Sequence, residues 1–471
     1  MANQKFITDI LKSLKSQYQE IIDDAIQFFA EFGSVHAVYS KEIKRLNETN
    51  NQLKTIASYK AEHGVYPQIK GYEDTKVYLK ELQKIQSRSE QEVAKHEPEI
   101  IDGFIRRREK LFIMTDLMLH SLLNDRDASQ FIATMMLRAP MPNDKNRCAT
   151  NEINKPIYIG ALSVSLLRRL MDKDAVEDEF IKDLQPQFIQ GEHFITPEYE
   201  PEQLERFSKY VLTPILTAAL IHNIGSYSPD AAAIYDGNRY KALNEEQRKT
   251  LISDIHEHTM NYLMFGLGKP NKENFKSEEE YFNELDAFQL TKDIIEGYSK
   301  STNPRGNLLR VPMIYASFML STKPKHDYLI TFKAFDILKS GIDKGVVYKP
   351  YAKEFLRMVG LYPLGCGIFF ISKDSDVPER AVVTGLNPPD PSSAIVKRLT
   401  RKQVKFDDHT QVCASKNSIL SNRDARTNSR FDANYFKKQF PNGYFWNPSE
   451  VWELDLDHKQ FWRRDNSITQ N

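Results

Sequence analysis

His222 closes a mostly apolar run, Val211 to Ile224. His256 and His258 follow on a second helical pattern that starts near Leu243. An imidazole at the end of a buried helix, with more imidazoles on the next helix, is a way for an all-α hydrolase to build a metal centre. The residue after His222 is Asn223, an amide rather than a carboxylate. An amide is neutral and offers one good oxygen, so it makes a poor bridge between two cations. The string His256-Glu257-His258 lacks the i, i+4 histidine pair of the helical zinc motif. Asp230, Asp236, Asp254, Glu257 and Glu296 are close enough in sequence to serve as substitute donors. The simpler expectation is two buried histidines with local hydrogen bonds and no metal. Glycine-rich dinucleotide and phosphate loops and a GxSxG elbow are absent.

Basic side chains flank these histidines. Arg239 and Lys241 sit on the loop after His222-Asn223, and Arg305 and Arg310 lie further on. Guanidinium groups are good phosphate clamps, which makes these four the candidate anion or nucleotide contacts; solvated surface charge is the plainer alternative. A triplet, Arg106 to Arg108, is a second basic feature. It is expected to be a solvated helix face or a partner contact, since Asp102 and Glu109 dilute it.

The elements that must position these residues read as helices. The order is 156–171, 210–224, 243–265, 284–297, 311–320 and 328–340, a compact all-α block. Two apolar strands, Ile368 to Ile371 and Ala381 to Gly385, form an appended β-hairpin. Upstream, residues from Phe6 to Phe32 repeat at three- and four-residue spacings, an amphipathic helix. Further helices are expected over Val35 to Tyr59, Asp74 to Val93 and Pro98 to Leu123. Ala139 to Asn154 reads as a loop and domain boundary. The chain thus divides into a helical docking or sensor region (1–138), a central helical domain (150–390) and an extended, aromatic-rich C-terminal segment (391–471).

Three stretches then resemble a known family. They are AALIHNIG (Ala218 to Gly225), LNEEQRKTLISDIHEHTMNYL (Leu243 to Leu263), and GLYPLGCGIFFIS (Gly360 to Ser372) with AVVTG after it. In order and spacing they are similar to the HD superfamily, and within it to the HD-GYP phosphodiesterases of cyclic di-GMP. The resemblance implies an HD-like all-helical domain with a small hairpin, in which two or three metals activate water against a phosphodiester. It assigns His222 to the HD histidine, Gly225 to the family glycine and His258 to the histidine of the following helix. Asn223 stands in place of the bridging aspartate, and Ser226 in place of a lysine that faces phosphate. The segment Pro156 to Gly160 has no histidine. The segment Asp293 to Gly306 lacks the paired histidines and the GYP string, and Ala316 or Ser317 replaces the last aspartate.

With most ligands missing, the resemblance implies a degenerate, catalytically inactive protein that needs no cofactor or metal. It would act as a scaffold or regulatory protein-binding module in a bacterial assembly or signalling system. A receptor that binds cyclic di-GMP without cleaving it, and a phosphodiesterase with atypical ligands, are the alternatives. Met313, Tyr315, Phe318 and Met319 are expected to fill the old cleft. Composition sets further bounds. The chain has 471 residues, 41% hydrophobic and 27% charged, with 64 basic and 64 acidic side chains. No net charge favours DNA or RNA. Cys148, Cys366 and Cys413 are scattered. No run approaches the ~18 apolar residues of a membrane span, so the cytoplasm is the default expectation. A protein partner is expected, with homodimerisation through the N-terminal helices and an interface at Trp446, Trp452 and Trp462.

Overall fold

A computed structural model describes residues 7–139, 141, 144–189, 198–324, 326–372, 376–399 and 411–449. The fold is mainly α-helical. The helices are α1 (Ile7–Glu31), α2 (His36–His63), α3 (Thr75–His120), α4 (Asp125–Leu137), α5 (Lys145–Asp172), α6 (Glu179–Leu184), α7 (Pro201–Phe207), α8 (Thr213–Ile221) and α9 (Pro229–Tyr235). They continue with α10 (Glu245–Asn261), α11 (Glu278–Gly297), α12 (Pro304–Met319), α13 (Ala334–Asp343), α14 (Lys349–Val359), α15 (Arg423–Thr427) and α16 (Ala433–Gln439). Strands β1 (Phe188–Ile189) and β2 (Glu198–Tyr199) pair with each other. Strands β3 (Gly367–Ile371), β4 (Pro378–Gly385), β5 (Ala394–Leu399), β6 (Val412–Ala414) and β7 (Phe445–Trp446) form one sheet.

Helix α8 is the hub. Its residues Pro214, Ile215, Leu216 and Ala218 to Ile221 are all buried. A helix this apolar must be enclosed on most of its surface, and α5, α11, α3 and α12 pack around it. Helix α5 supplies a second enclosed wall, buried from Pro156 to Leu167. The expected loop from Ala139 to Asn154 is shorter than the sequence suggested. Asp144 caps α5 at the Arg147 amide, and the helix runs straight through Pro156. The two helices expected on either side of Pro98 are likewise one, α3.

Helix α1 packs into the central body. Its stripe of Leu11, Leu14, Tyr18, Ile21, Ala25 and Phe28 joins the same hydrophobic cluster as α5 and α8. The Tyr18 hydroxyl donates to the Leu220 carbonyl at 2.9 Å, two residues before His222. Phe28 meets Tyr262 edge-on at 5.4 Å. The arginine triplet has internal partners, although Arg106 itself stays exposed. Asp24 is buried on α1 and takes Arg106 at 3.1 Å, with Arg107 and Lys110 beside it. Arg107 donates to the Gly266 carbonyl, and Arg108 to those of Leu267 and Gly268, which follow α10. The triplet therefore ties α3 to α1 and to the chain after α10.

Helix α2 packs along α3 in a long antiparallel hairpin. Its seam is partly polar. Thr49 and Ser89 are buried, Ser89 donates to Glu42, and Gln86 donates to Asn50.

The appended strands make more than a hairpin. The sheet order is β6-β5-β4-β3-β7, and all neighbours are antiparallel. The C-terminal segment, expected to be extended, supplies both edge strands and the helices α15 and α16. The Leu361 to Gly365 turn needs its glycine. Gly365 has φ +76°, and a Cβ there would sit 2.4 Å from that of Met136 on α4. No helix of the described residues is long and apolar enough to cross a membrane.

Candidate functional site

His222 caps the C-terminal end of α8 and is 7% exposed. Its Nδ1 lies 2.7 Å from the Ala219 carbonyl. A carbonyl only accepts, so the proton sits on Nδ1 and Nε2 carries a lone pair. Burial holds this imidazole down at about 4; the Ala219 carbonyl opposes the shift and Lys155 reinforces it. The ring is neutral at ordinary pH.

The backbone after His222 is fixed by α10. The Gly225 amide donates to the Thr259 hydroxyl, which in turn donates to the His222 carbonyl. At Gly225 a Cβ would lie 2.3 Å from the Ile255 carbonyl oxygen. That glycine is there because two backbones touch. Asn223 donates to Ser226 at 3.2 Å.

His222 and Asn223 line an open cleft of about 150 Å³. Its other walls come from α5 (Glu152, Lys155, Pro156), from Tyr235 at the end of α9, from the loop carrying Arg239 and Tyr240, and from Thr322 and Lys323 after α12. Met313, Tyr315, Phe318 and Met319, expected to fill such a cleft, do not line it. They pack in or against the α12 core instead.

Arg239 is locked into this wall. Its Nε and Nη2 engage Glu152 at 2.9 and 2.8 Å, and Nη1 and Nη2 donate to the carbonyl and hydroxyl of Ser226. Its guanidinium lies 4.1 Å from the Tyr227 ring centroid and 4.9 Å from that of Tyr235. Burial opposes its charge, but the Glu152 carboxylate outweighs it and holds the arginine firmly protonated. The other Glu152 oxygen accepts from the Tyr240 hydroxyl at 2.8 Å. Ser226 is thus occupied by Arg239.

His258 is directed elsewhere. Its Nε2 meets Asp230 of α9 at 2.7 Å, and its ring packs edge-on to Phe29 of α1 at 5.6 Å. It does not line the His222 cleft. His256 is half-buried near Tyr298. Of the substitute donors, Asp236 pairs with Lys241 and Glu296 with Lys292. Among the described residues no group of three or more His, Cys, Asp or Glu side chains is placed to hold a metal ion.

The remaining anion candidates also have internal partners. Arg305 is gripped by Asp178 and Asp293. Arg310 donates to the carbonyls of Val346 and Tyr298, each at 2.8 Å. Lys241 lies 3.8 Å from Asp236. None of these three lines the cleft. Trp446 is used within the sheet. Its Nε1 donates to the Ile368 carbonyl, and its ring covers Gly367 so closely that a Cβ there would lie 2.4 Å away. Trp452 and Trp462 lie outside the described residues.

Two lysines that sequence reading passed over face the cleft. Lys155 is half-buried and makes no ion pair or hydrogen bond among the described residues. Burial lowers its ammonium to about 8, with Glu152 opposing and Lys323 adding repulsion. Lys323 donates to the Lys241 carbonyl at 3.3 Å and also faces the cleft. The only local signal was Glu152 and Lys155 at i, i+3 on the rim of an apolar helix. Nothing local ties Lys323 to them.

Chemically, this wall presents three cations, one committed carboxylate and a neutral imidazole. Such a set suits binding a small anion rather than coordinating a cation. Comparison with known protein families, with curated proteins and with solved structures finds no match to this chain.

Proposed function

We propose that the chain is a degenerate HD-GYP-like protein that works by binding and not by metal-assisted hydrolysis. The resemblance in the His222, His258 and Gly365 stretches supports the family reading. The separate commitment of the two surviving imidazoles carries the non-catalytic one. His222 turns its Nδ1 to its own helix and faces a cationic cleft, while His258 pairs with Asp230 at a different wall. A water-activating metal pair needs several nitrogen and oxygen donors converging on one point.

In this reading the protein is a scaffold or regulatory module with a protein partner. The α2–α3 hairpin is the surface for self-association, because the stripe of α1 is already buried against the body. The receptor reading for a cyclic dinucleotide has less support. Arg239, Arg305 and Arg310 would each have to leave internal partners to hold a phosphodiester. The test is a phosphodiesterase assay on cyclic di-GMP and on bis(p-nitrophenyl) phosphate with added Mn²⁺ or Fe²⁺, run beside a cyclic di-GMP titration. The expected result is neither turnover nor saturable binding. Turnover that disappears in His222→Ala would contradict the proposal.

A further inference from the structure

The cleft beside His222 has the features of a built site. Lys155 on α5 and Lys323 after α12 both line it. The sole carboxylate in the lining, Glu152, already accepts from Arg239 and Tyr240 through both oxygens. Lys155 makes no hydrogen bond or ion pair among the described residues, and the carboxylate that acts on it, Glu152, is already shared by Arg239 and Tyr240. A half-buried ammonium whose one nearby carboxylate is committed to other donors gains from a further negative group. The neutral His222 Nε2 lone pair and the Asn223 side chain lie in the same wall, ready for a ligand hydroxyl. Tyr235, Tyr240 and Leu243 supply a short apolar flank.

We propose that this cleft binds phosphate, free or as the end group of a small phosphomonoester, between the ammonium groups of Lys155 and Lys323, with His222 Nε2 accepting from the one P–OH of hydrogen phosphate when the free ion binds. The volume, about 150 Å³, falls below the usual range for pockets that hold drug-sized ligands. It suits a single phosphate better than a dinucleotide. The inference rests on the metal-free reading of the same residues, since a metal at His222 would occupy the Nε2 lone pair.

The experiment titrates the full chain with inorganic phosphate and, separately, phenyl phosphate, at constant ionic strength set by chloride, by calorimetry. Saturable binding of phosphate is expected. Tighter binding of phenyl phosphate would assign the ligand as a monoester packed on the tyrosines, and equal binding would assign free phosphate. Lys155→Gln and Lys323→Gln are each expected to weaken binding by about tenfold or more. Lys241→Gln, outside the cleft, is expected to leave it unchanged. A second readout needs no variant. Reductive methylation at pH 8, read by mass spectrometry, should modify Lys155 readily, and phosphate should protect it. No saturable binding, unchanged affinity in the Lys155→Gln, Lys323→Gln double variant, or methylation of Lys155 indifferent to phosphate would each overturn the proposal. Metal content of the same protein separates the two failures. A metal-free protein that ignores phosphate sinks this inference alone, and a metal-loaded one sinks the reading beneath it.

Discussion

Glu152 on α5 and Arg239 on the loop before α10 are joined by two contacts, at 2.9 and 2.8 Å, across the wall of the cleft. The pair holds the loop against α5 and commits the one carboxylate of the lining. Removing one partner leaves the other charge part-buried and uncompensated. We expect Glu152→Gln to cost about 2 kcal/mol of stability, discounted from a fully buried pair because both side chains keep some solvent contact. Arg239→Met should cost a similar amount. Urea denaturation of the variants checks this, and a double variant less destabilised than the sum of the two would show the coupling.

Gly225 is predicted to tolerate no side chain. The atom a Cβ would strike is the Ile255 backbone oxygen at 2.3 Å, which cannot swing aside as a side-chain tip can. Gly225→Ala should cost about 2–3 kcal/mol by forcing α10 away from the end of α8. Thermal unfolding reads the loss. An unchanged midpoint would show that the close approach is not real.

Acid should weaken the fold through two histidines. Burial holds both His222 and His36 at about 4, against an ordinary value near 6.5; at His36 Arg107 adds to the effect while Glu31 opposes it. Both are neutral in the folded chain at pH 7. The unfolded chain takes up the protons near 6.5, so between 6.5 and 4 it binds more of them. Their contribution is therefore full above pH 6.5 and is lost as pH falls toward 4. The limit is about 3 kcal/mol for each group. The midpoint of urea denaturation measured from pH 7 to pH 4.5 should fall, and fall less steeply in His222→Asn.

Lys155 is predicted to trade stability for its role. Its ammonium is lowered to about 8 by burial, so below that pH the folded chain carries a charge it solvates poorly. Lys155→Met should raise stability at pH 7 by about 1 kcal/mol while weakening phosphate binding. A variant that is less stable than the parent would show that the ammonium has a structural partner.

The sequence announced the frame better than the site. The apolar run before His222 was legible as a buried helix because only two threonines, Thr213 and Thr217, interrupt it and nothing charged does, and the rest of α8 is buried. The stripe of α1 was equally plain, but a stripe does not say what covers it, and the body of the same chain does. Pro98 and Pro156 misled in the same way. Each suggests a break, yet each sits inside a continuous helix held by tertiary packing. The sheet was under-read because β6 and β7 are only three and two residues long and join it from far along the chain. At the site, Arg239 was visible as a cation but not as a committed one, since Glu152 lies 87 residues away. Lys155 and Lys323 come together only through the fold, and no spacing pattern links them.

The most direct measurement is the metal content of the chain purified from its native cell, by plasma mass spectrometry, without chelators. Well under one equivalent of any transition metal per chain is expected, unchanged by His222→Ala. Two equivalents that fall when His222 is replaced would contradict it.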